Sequence, residues 1–332
     1  MHLNFVHKLH KLYLEQRSSL KSRVTLATLC IFLAGIWVIS LYSFYSLRKD
    51  LEKELGSQQL SAAAIIASQI NQSIINHIAS LEYAATMVSP SLLEDPESAQ
   101  LFLDNRYDLQ QLFRKGYFIA KPDGVSIAYA PFKDTNVGID YSDRDYVITA
   151  LSGFAAVGKP VIGKVTKVPI VGMAVPIKVN NRTIGVMAGV LDLIRSDFLG
   201  EIAYSSYGRT GDFLVVDKKS RIIVAASDIT KIMDSMPAYG ENATIDQFIS
   251  GTEGTATFTN NSGKVVASAV HILSADWVMI VSMPTAEVYA PIYTLQTHIL
   301  LLALALSIVA VIVSWVVMSS QLRPLAKVVD AL

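Results

Sequence analysis

The chain has 332 residues, of which 52% are hydrophobic, and its formal net charge is zero. This balance argues against nucleic acid as a partner, because no basic surplus is left to neutralise phosphates. The single cysteine, Cys30, lies inside an apolar block. The polar part of the chain therefore has no disulfide and must fold on a hydrophobic core.

Two uncharged apolar blocks, residues 24–47 and 299–318, lie near the ends of the chain. At ~1.5 Å per residue the first reaches roughly 36 Å, enough to cross a ~30 Å hydrocarbon layer, and we predict two transmembrane helices. A cleaved signal peptide is the rival interpretation of the first block, but its apolar stretch is too long for one. Basic residues at 1–23 and 319–332 predict that both ends lie in the cytoplasm.

A long amphipathic helix is predicted over residues 51–87. Its apolar positions recur at steps of three or four residues, as the core face of a helix does. These positions are Ala63, Ile66, Ala67, Ile70, Ile74, Ile78 and Leu81. The helix could also pair with its copy in a homodimer. A shorter helix, "AQLFLDNRYDLQQLFRKG", is predicted to follow it.

Strand patterns begin after Gly116 and occur in two sets. The first contains a hairpin with the turn Lys121–Gly124 and another with the turn Asn180–Asn181. The second set is a weaker echo that ends near Pro284, after the connector "IRSDFLGEIAYSSYGRTG". We therefore predict two similar α+β modules in tandem, each with a five-stranded antiparallel sheet.

Arg144 stands among three aspartates and two tyrosines, just ahead of an apolar helical run. Two interpretations fit these residues. In one, the loop lies at the surface and the neighbouring aspartates, Asp140, Asp143 and Asp145, neutralise the arginine. In the other, the guanidinium faces a pocket and binds an anion with its planar fork of donors.

The order and spacing of several phrases resemble the double Cache sensor domain of bacterial transmembrane receptors. They are "IAKPDGVSIA", "DYSDRDYVITAL", "GKPVIGKV", "VGMAVPIKVNNRTIGVMAGVLDL", "YGRTGDFLVVDKKSRIIVAASD" and "WVMIVSMPTAEVYAPI". The phrasing is most similar to sensors of diguanylate cyclases, with chemoreceptors and histidine kinases next. The resemblance implies an α+β fold, in which a long N-terminal helix carries two tandem PAS-like modules between two transmembrane helices.

The resemblance and the apolar blocks together divide the chain. The predicted segments are a cytoplasmic tail (1–23), a first span (24–47), an extracytoplasmic sensor (48–298), a second span (299–318) and a HAMP-like signalling helix (319–332). Within the sensor, the first module is membrane-distal (about 83–197) and the second is membrane-proximal (about 198–290). The implied location is a bacterial inner membrane, with membrane lipid around the spans, a periplasmic sensor and a homodimer by analogy. Residues 319–332 contain no output module.

In the amino-acid-binding branch of this family, a motif Tyr-x-x-Arg-x-Trp-Tyr-x-x-Ala lines the membrane-distal pocket. The resemblance implies that Tyr141 and Arg144 bind a ligand carboxylate, with Tyr146 in the tryptophan position. A later aspartate that holds the amino group would fall at Val190, and Asp192 lies two residues on. The aspartate that would hold the amino group is thus two residues from its expected position. Because no firm anion is then available for an amine, we expect a small organic acid without one as ligand.

Other residues give weaker signals. Lys159 and Lys164 could point into the pocket, although solvated lysines at strand ends are more common. His77 and His271 lack the paired spacing of a metal site and are expected to be satisfied structural residues, so we predict no metal and no cofactor. "GRTG", residues 208–211, lacks the lysine of a phosphate loop and is expected to be a tight turn.

Three classes of function follow from these features. A ligand-gated transmembrane sensor is favoured, with a diguanylate cyclase, chemoreceptor or histidine kinase as its output. An exported enzyme is disfavoured because no convincing nucleophile, base or carboxylate pair is present, and the residues present are predicted to be non-catalytic. A membrane-anchored module that binds a partner protein is the third, and would have the same fold with a filled pocket.

Overall fold

The computed structural model describes residues 20–131, 137–195, 209–260 and 263–329. The chain divides into two compact units, one of residues 55–288 and one of residues 1–54 with 289–332. Helices α1 (Leu20–Thr86) and α8 (Ala290–Val329) supply the described part of the second of these units.

Two stretches are long and apolar enough to cross a membrane: one at the start of Val24–Thr86 and one in Ala290–Val317. Their most apolar windows are 0% and 6% buried, so these helices expose leucine, isoleucine and valine side chains on nearly every face. Such surfaces are stable in hydrocarbon rather than in water. The predicted spans at 24–47 and 299–318 fall within these two helices.

Residues 55–86 of α1 belong to the unit of residues 55–288, which we call the sensor unit. They pack against the rest of this unit through the predicted face. Ala63, Ala67, Ile70, Ile74 and Leu81 are all buried. These positions recur every three or four residues, which places them on one side of a helix. The prediction of an amphipathic helix is therefore confirmed.

Three short helices follow: α2 (Pro90–Glu94), α3 (Pro96–Asp104) and α4 (Tyr107–Leu112). The prediction of one continuous helix here was wrong, because the chain leaves helical geometry at Asn105 and Arg106. Tyr117 contributes to this corner, since its hydroxyl donates to the Leu103 carbonyl at 3.1 Å.

The first module contains an antiparallel sheet of six strands in the order β2-β1-β6-β5-β3, with β4 also paired to β5. Its strands are β1 (Tyr117–Ala120), β2 (Ser126–Ala130), β3 (Ala156–Val157), β4 (Val161–Ile162), β5 (Pro169–Val179) and β6 (Arg182–Asp192). Helix α5 (Asp145–Leu151) covers part of one face. Five strands were predicted and six are present, because two separate two-residue strands, β3 and β4, pair with β5. Asn180 and Asn181 both have positive φ and form the predicted turn.

The second module repeats this arrangement in a five-stranded sheet with the order β8-β7-β11-β10-β9. Its strands are β7 (Asp212–Asp217), β8 (Ile223–Ala226), β9 (Gly254–Asn260), β10 (Gly263–Ile272) and β11 (Trp277–Pro284). A 3₁₀ turn (Ile229–Lys231) and α6 (Ala243–Ser250) follow β8, and α7 (Thr285–Val288) follows β11. Residues 196–208, most of the predicted helical connector, lie outside the described residues.

Three hydrophobic clusters hold the sensor unit together. The largest joins α1 and α3 to one face of both sheets, and Trp277 is fully buried in it, as predicted. The other two lie on the remaining face of each sheet, under α5 in the first module and under α6 in the second. The fold is thus the predicted α+β architecture, with each sheet between the long helix and a short one.

Candidate ligand site

The loop before α5 is fixed to the β1–β2 turn by backbone contacts. The Tyr141 amide donates to the Gly124 carbonyl at 2.9 Å, and the Ser142 amide donates to the Asp140 carboxylate at 2.7 Å. Gly124 has φ +82°, and a Cβ there would lie 2.7 Å from the Ser142 nitrogen. Glycine is thus required at this close approach, and the loop delivers Arg144 to a defined place.

Arg144 is the N-cap residue of α5, and its side chain is 15% exposed. Its Nη2 donates to the Ile162 carbonyl at 3.3 Å, and its Nε lies 3.9 Å from the Asp143 carboxylate. Neither contact is a close bidentate pair, so donors of the guanidinium remain available to another acceptor. The interpretation as a surface loop, in which aspartates neutralise the arginine, accounts for the long contact with Asp143 but not for the hydrogen bond to Ile162.

Tyr146 follows Arg144 by two residues and lies against the sheet. A Cβ at Gly172 would be 2.4 Å from its ring, and one at Gly158 would be 2.6 Å from it. The two glycines therefore provide the space in which this buried ring packs. Tyr141 stacks on Phe118 with ring centroids 4.3 Å apart and completes an aromatic wall.

The hydroxyl groups of this wall remain protonated at neutral pH. Burial raises the pKa of Tyr141 to about 12 and also raises that of Tyr146. The Oγ1 of Thr166 is buried, and no group among the described residues bonds to it. A buried hydroxyl without a partner costs free energy, and a ligand or a water would remove that cost.

These side chains enclose a small cavity of about 10 Å³. Its lining consists of Tyr129, Tyr141, Arg144, Tyr146, Gly163, Lys164, Val165, Thr166, Ile170 and Val190. A volume of this size holds about one water molecule. The lining thus brings the Arg144 guanidinium together with tyrosine and threonine side chains around a space too small for an organic acid.

Lys164 was expected to be solvated, but it lines this cavity. Its ammonium donates to the Asp140 carbonyl and to the Asp143 carboxylate, both at 2.5 Å, and lies 5.7 Å from the Tyr141 ring centre. The lining therefore contains two cations, Lys164 and Arg144. Asp143 is the one acidic side chain in the described ranges that is paired with both.

Asp192 does not join the other three predicted site residues. It is 5% exposed, pairs with Lys115 at 3.3 Å, and accepts from the Ile194 and Arg195 amides at 2.8 and 3.2 Å. It lines a separate cavity of about 790 Å³ between α1, the end of α4 and the end of β6. Val190, on the same strand, lines both this cavity and the small one.

The remaining candidates have structural contacts. His77 is buried, its Nδ1 lies 2.7 Å from the Ser73 carbonyl, and burial lowers its pKa. For His271 the expectation of a satisfied residue was wrong, because its Nε2 is buried without a partner among the described residues. The described part of "GRTG" donates the Arg209 and Thr210 amides to the Glu287 carboxylate, as a tight turn. In the described ranges no three His, Cys, Asp or Glu residues form a possible metal site.

Comparison with known proteins identifies the fold. Residues 46–292 match the family model described as the Cache domain. The chain belongs to the Cache domain family. This match confirms the family that the sequence motifs predicted. That the chain is most similar to the sensors of diguanylate cyclases stays a prediction. A Cache domain is a non-catalytic sensor module. No curated protein sequence matches the chain.

Solved structures of chemoreceptor domains have the same fold. The ligand-binding domain of the Pseudomonas aeruginosa amino acid chemoreceptor PctB, in complex with L-Arg, is 19% identical, with a TM-score of 0.59 over 74% of this chain and 94% of that one. The domain of Pseudomonas fluorescens CtaA with L-isoleucine is 17% identical, with a TM-score of 0.56 over 74% and 97%. The domain of P. aeruginosa PctC with GABA is 16% identical, with a TM-score of 0.55 over 69% and 99%.

Sequence reasoning missed several residues of this Cache site. Thr166 and Ile170 gave no signal, because a threonine in a turn and an isoleucine in a strand are ordinary there. Lys164 was considered, but a flexible lysine beside a strand resembles a solvated one in sequence. The recurrence of glycine at 158, 163 and 172 was the available signal, since glycines in strands or at strand ends indicate close approach of another group.

Proposed function

We propose that this Cache domain binds the carboxylate of a small organic acid in the Arg144 cavity and signals across the membrane. The observation that carries the proposal is the guanidinium of Arg144, 15% exposed and without a close carboxylate pair, on a cavity that hydroxyls also line. Guanidinium and hydroxyl groups are the donors that a carboxylate prefers. Tyr141 and Tyr146 keep their hydroxyl protons at neutral pH, so both can donate.

None of the described residues that line the cavity is acidic, and this favours an acid without an amine. Val190 lines the cavity, and Asp192 is held by Lys115 and two backbone amides elsewhere. A buried ammonium needs an anion or several acceptors, and its desolvation is costly without them. The ligands named for the relatives, L-Arg, L-isoleucine and GABA, all carry a carboxylate and an amino group, and only the carboxylate is carried over to this site.

Binding must open the cavity, because about 10 Å³ holds no organic acid. Residues 163–166 form a turn between β4 and β5 that lines one side of the cavity, and this turn is the segment that we propose moves. A ligand that requires this segment to move binds the open and closed states with different affinity. That difference is what a signalling equilibrium requires.

The remainder of the proposal concerns the membrane. The two apolar helices act as spans, residues 48–298 are periplasmic, both ends lie in the cytoplasm, and the sensor works as a homodimer. A HAMP-like helix at 319–332 would pass the signal to an output such as a diguanylate cyclase, or to a chemotaxis or kinase module. The apolar length of both helices and the family membership support this arrangement.

The test is calorimetric titration of the protein with acetate, propionate and succinate, and with L-alanine and L-isoleucine. We expect an acid without an amine to bind, and Arg144→Met to weaken it about 10- to 100-fold through loss of a charge-assisted pair. Arg182→Met, which changes an exposed arginine in the same module, is the matched control and should bind as the wild type does. Binding of the amino acids alone, or an Arg144→Met variant with unchanged affinity, would overturn the proposal.

A further inference from the structure

The three aspartates around Arg144 have different tasks. The Asp140 carboxylate accepts from the Ser142 amide at 2.7 Å. The Asp145 carboxylate accepts from the Tyr146 and Lys159 amides, both at 2.9 Å. These two side chains therefore fold the backbone of the loop and of the first turn of α5.

The main contacts of the Asp143 carboxylate are instead with the side chains of Lys164 and Arg144. Its Oδ1 accepts from the Lys164 ammonium at 2.5 Å and lies 3.9 Å from the Arg144 Nε, and its side chain is 61% exposed. Asp143 thus exposes its carboxylate to solvent and pairs with both cations that line the cavity. A ligand carboxylate that reached the guanidinium would meet this negative charge.

We infer that Asp143 is an internal competitor for the ligand carboxylate, which neutralises the two cations in the empty site and is displaced when an acid binds. This inference rests on the proposed function of the Arg144 cavity. It makes Asp143 a residue that sets the affinity of the site and the class of acid it accepts.

Two physical features allow displacement. Ion pairs that face solvent contribute little, since water screens them and the side chains lose freedom on pairing. A carboxylate bound side-on to the guanidinium gains two parallel hydrogen bonds, which Asp143 does not make at 3.9 Å. Because Asp143 is tethered beside the cations, it competes at a high effective concentration and keeps weak anions out.

The hydrogen bond from Lys164 holds the pKa of Asp143 below its ordinary value, with the charges of Lys164 and Arg144 acting in the same direction. The competitor is therefore ionised at neutral pH. Removal of its charge would free two cations, so an acid with two carboxylates should gain more than an acid with one.

The test is calorimetric titration of the full chain with propionate and with succinate, comparing the wild type and Asp143→Asn. The exposed position of Asp143 makes loss of folding unexpected, and thermal unfolding checks this. Glu97→Gln is the charge-matched control, because Glu97 begins α3, which packs on the opposite face of the sheet through Ala99 and Leu103.

We expect Asp143→Asn to bind propionate about three- to tenfold more tightly than the wild type, and succinate with a larger gain. Glu97→Gln should stay within about twofold of the wild type. If the wild type binds an acid and Asp143→Asn binds it equally or more weakly, the inference is wrong while the proposed function stands. If neither acid binds to any of the folded variants, the proposed function is wrong and the inference falls with it.

Discussion

Each module of the sensor contains one arginine near the helix that covers its sheet, and the two arginines are treated differently. In the second module, Nη2 of Arg221 donates to the Asp246 carboxylate at 2.8 Å and to the Pro237 carbonyl at 2.6 Å. This pair is only 20% and 11% exposed. In the first module, Arg144 has Asp143 at 3.9 Å, and that carboxylate is largely in solvent. Arg221 is thus paired with an acidic side chain, and Arg144 lines a cavity.

The faces beneath the two short helices differ in the same way. In the second module α6 presents Ile245, Phe248 and Ile249 to the sheet, and these side chains belong to an apolar cluster. In the first module the corresponding cluster contains Tyr129, Tyr141 and Tyr146 beside a cavity. The comparison shows that the same fold packs apolar side chains beneath one short helix, and tyrosines beside a small cavity beneath the other.

The largest effect on stability is expected in the second module. Phe248→Ala should lower the free energy of unfolding by about 3 to 5 kcal/mol, because a buried aromatic ring is replaced by a cavity. Urea unfolding of the full chain in detergent measures this. Phe154→Ala, at a largely exposed phenylalanine of the first module, should change it by less than about 0.5 kcal/mol. Equal effects of the two substitutions would remove the distinction between core and surface on which the comparison depends.

Substitution of Arg221 should affect stability, whereas substitution of Arg144 should affect ligand binding and leave stability nearly unchanged. Arg221→Met should lower the free energy of unfolding more than Arg144→Met does, because Asp246 keeps its charge but loses its cation. Arg144→Met should change it by less than about 0.5 kcal/mol, since it breaks no close pair. Thermal unfolding of both variants provides the measurement. A destabilisation that is larger for Arg144→Met would indicate that Arg144 has a structural role.

The smallest effect concerns the attachment of the long helix. In the second module α1 is attached by Gln59, whose amide donates to the Val266 and Val281 carbonyls at 3.2 and 3.1 Å. In the first module His77 of this helix packs edge-on against Phe113, with ring centroids 5.2 Å apart, and burial lowers the pKa of the imidazole below its ordinary value of 6.5. The unfolded chain therefore takes up a proton more readily, and the free energy of unfolding should fall as the pH decreases through about 6.5.

His77→Gln removes this titration and should flatten the pH dependence in that range. Urea unfolding of the wild type and the variant at a series of pH values gives the comparison. An unchanged slope in the variant would show that another group causes the acid sensitivity.

Much of the fold was predictable because it follows from periodicity. The four-residue step of isoleucines along α1 fixed its buried face, and the turns at Lys121–Gly124 and Asn180–Asn181 fixed two hairpins. The two-residue strands β3 and β4 carry too few residues to show alternation. The break between α3 and α4 has no proline or glycine, and it is stabilised by the tertiary contact of Tyr117 with Leu103.

The candidate site was predictable only where a local phrase contains it. Tyr141, Arg144 and Tyr146 lie within six residues of one another, and the structure brings all three to one cavity. Lys164, Thr166 and Ile170 come from a segment whose position depends on how β5 pairs, which no local pattern encodes. Whether Asp192 serves the ligand stays a prediction, although in the closed site its carboxylate is held elsewhere.

A crystal structure of the sensor with the acid that binds in titration tests the central claim most directly. We predict a carboxylate about 2.8 Å from the guanidinium nitrogens of Arg144, an enlarged cavity, and Asp143 turned away from Lys164. An acid bound in another cavity, with the contact between Arg144 and the Ile162 carbonyl unchanged, would contradict the account.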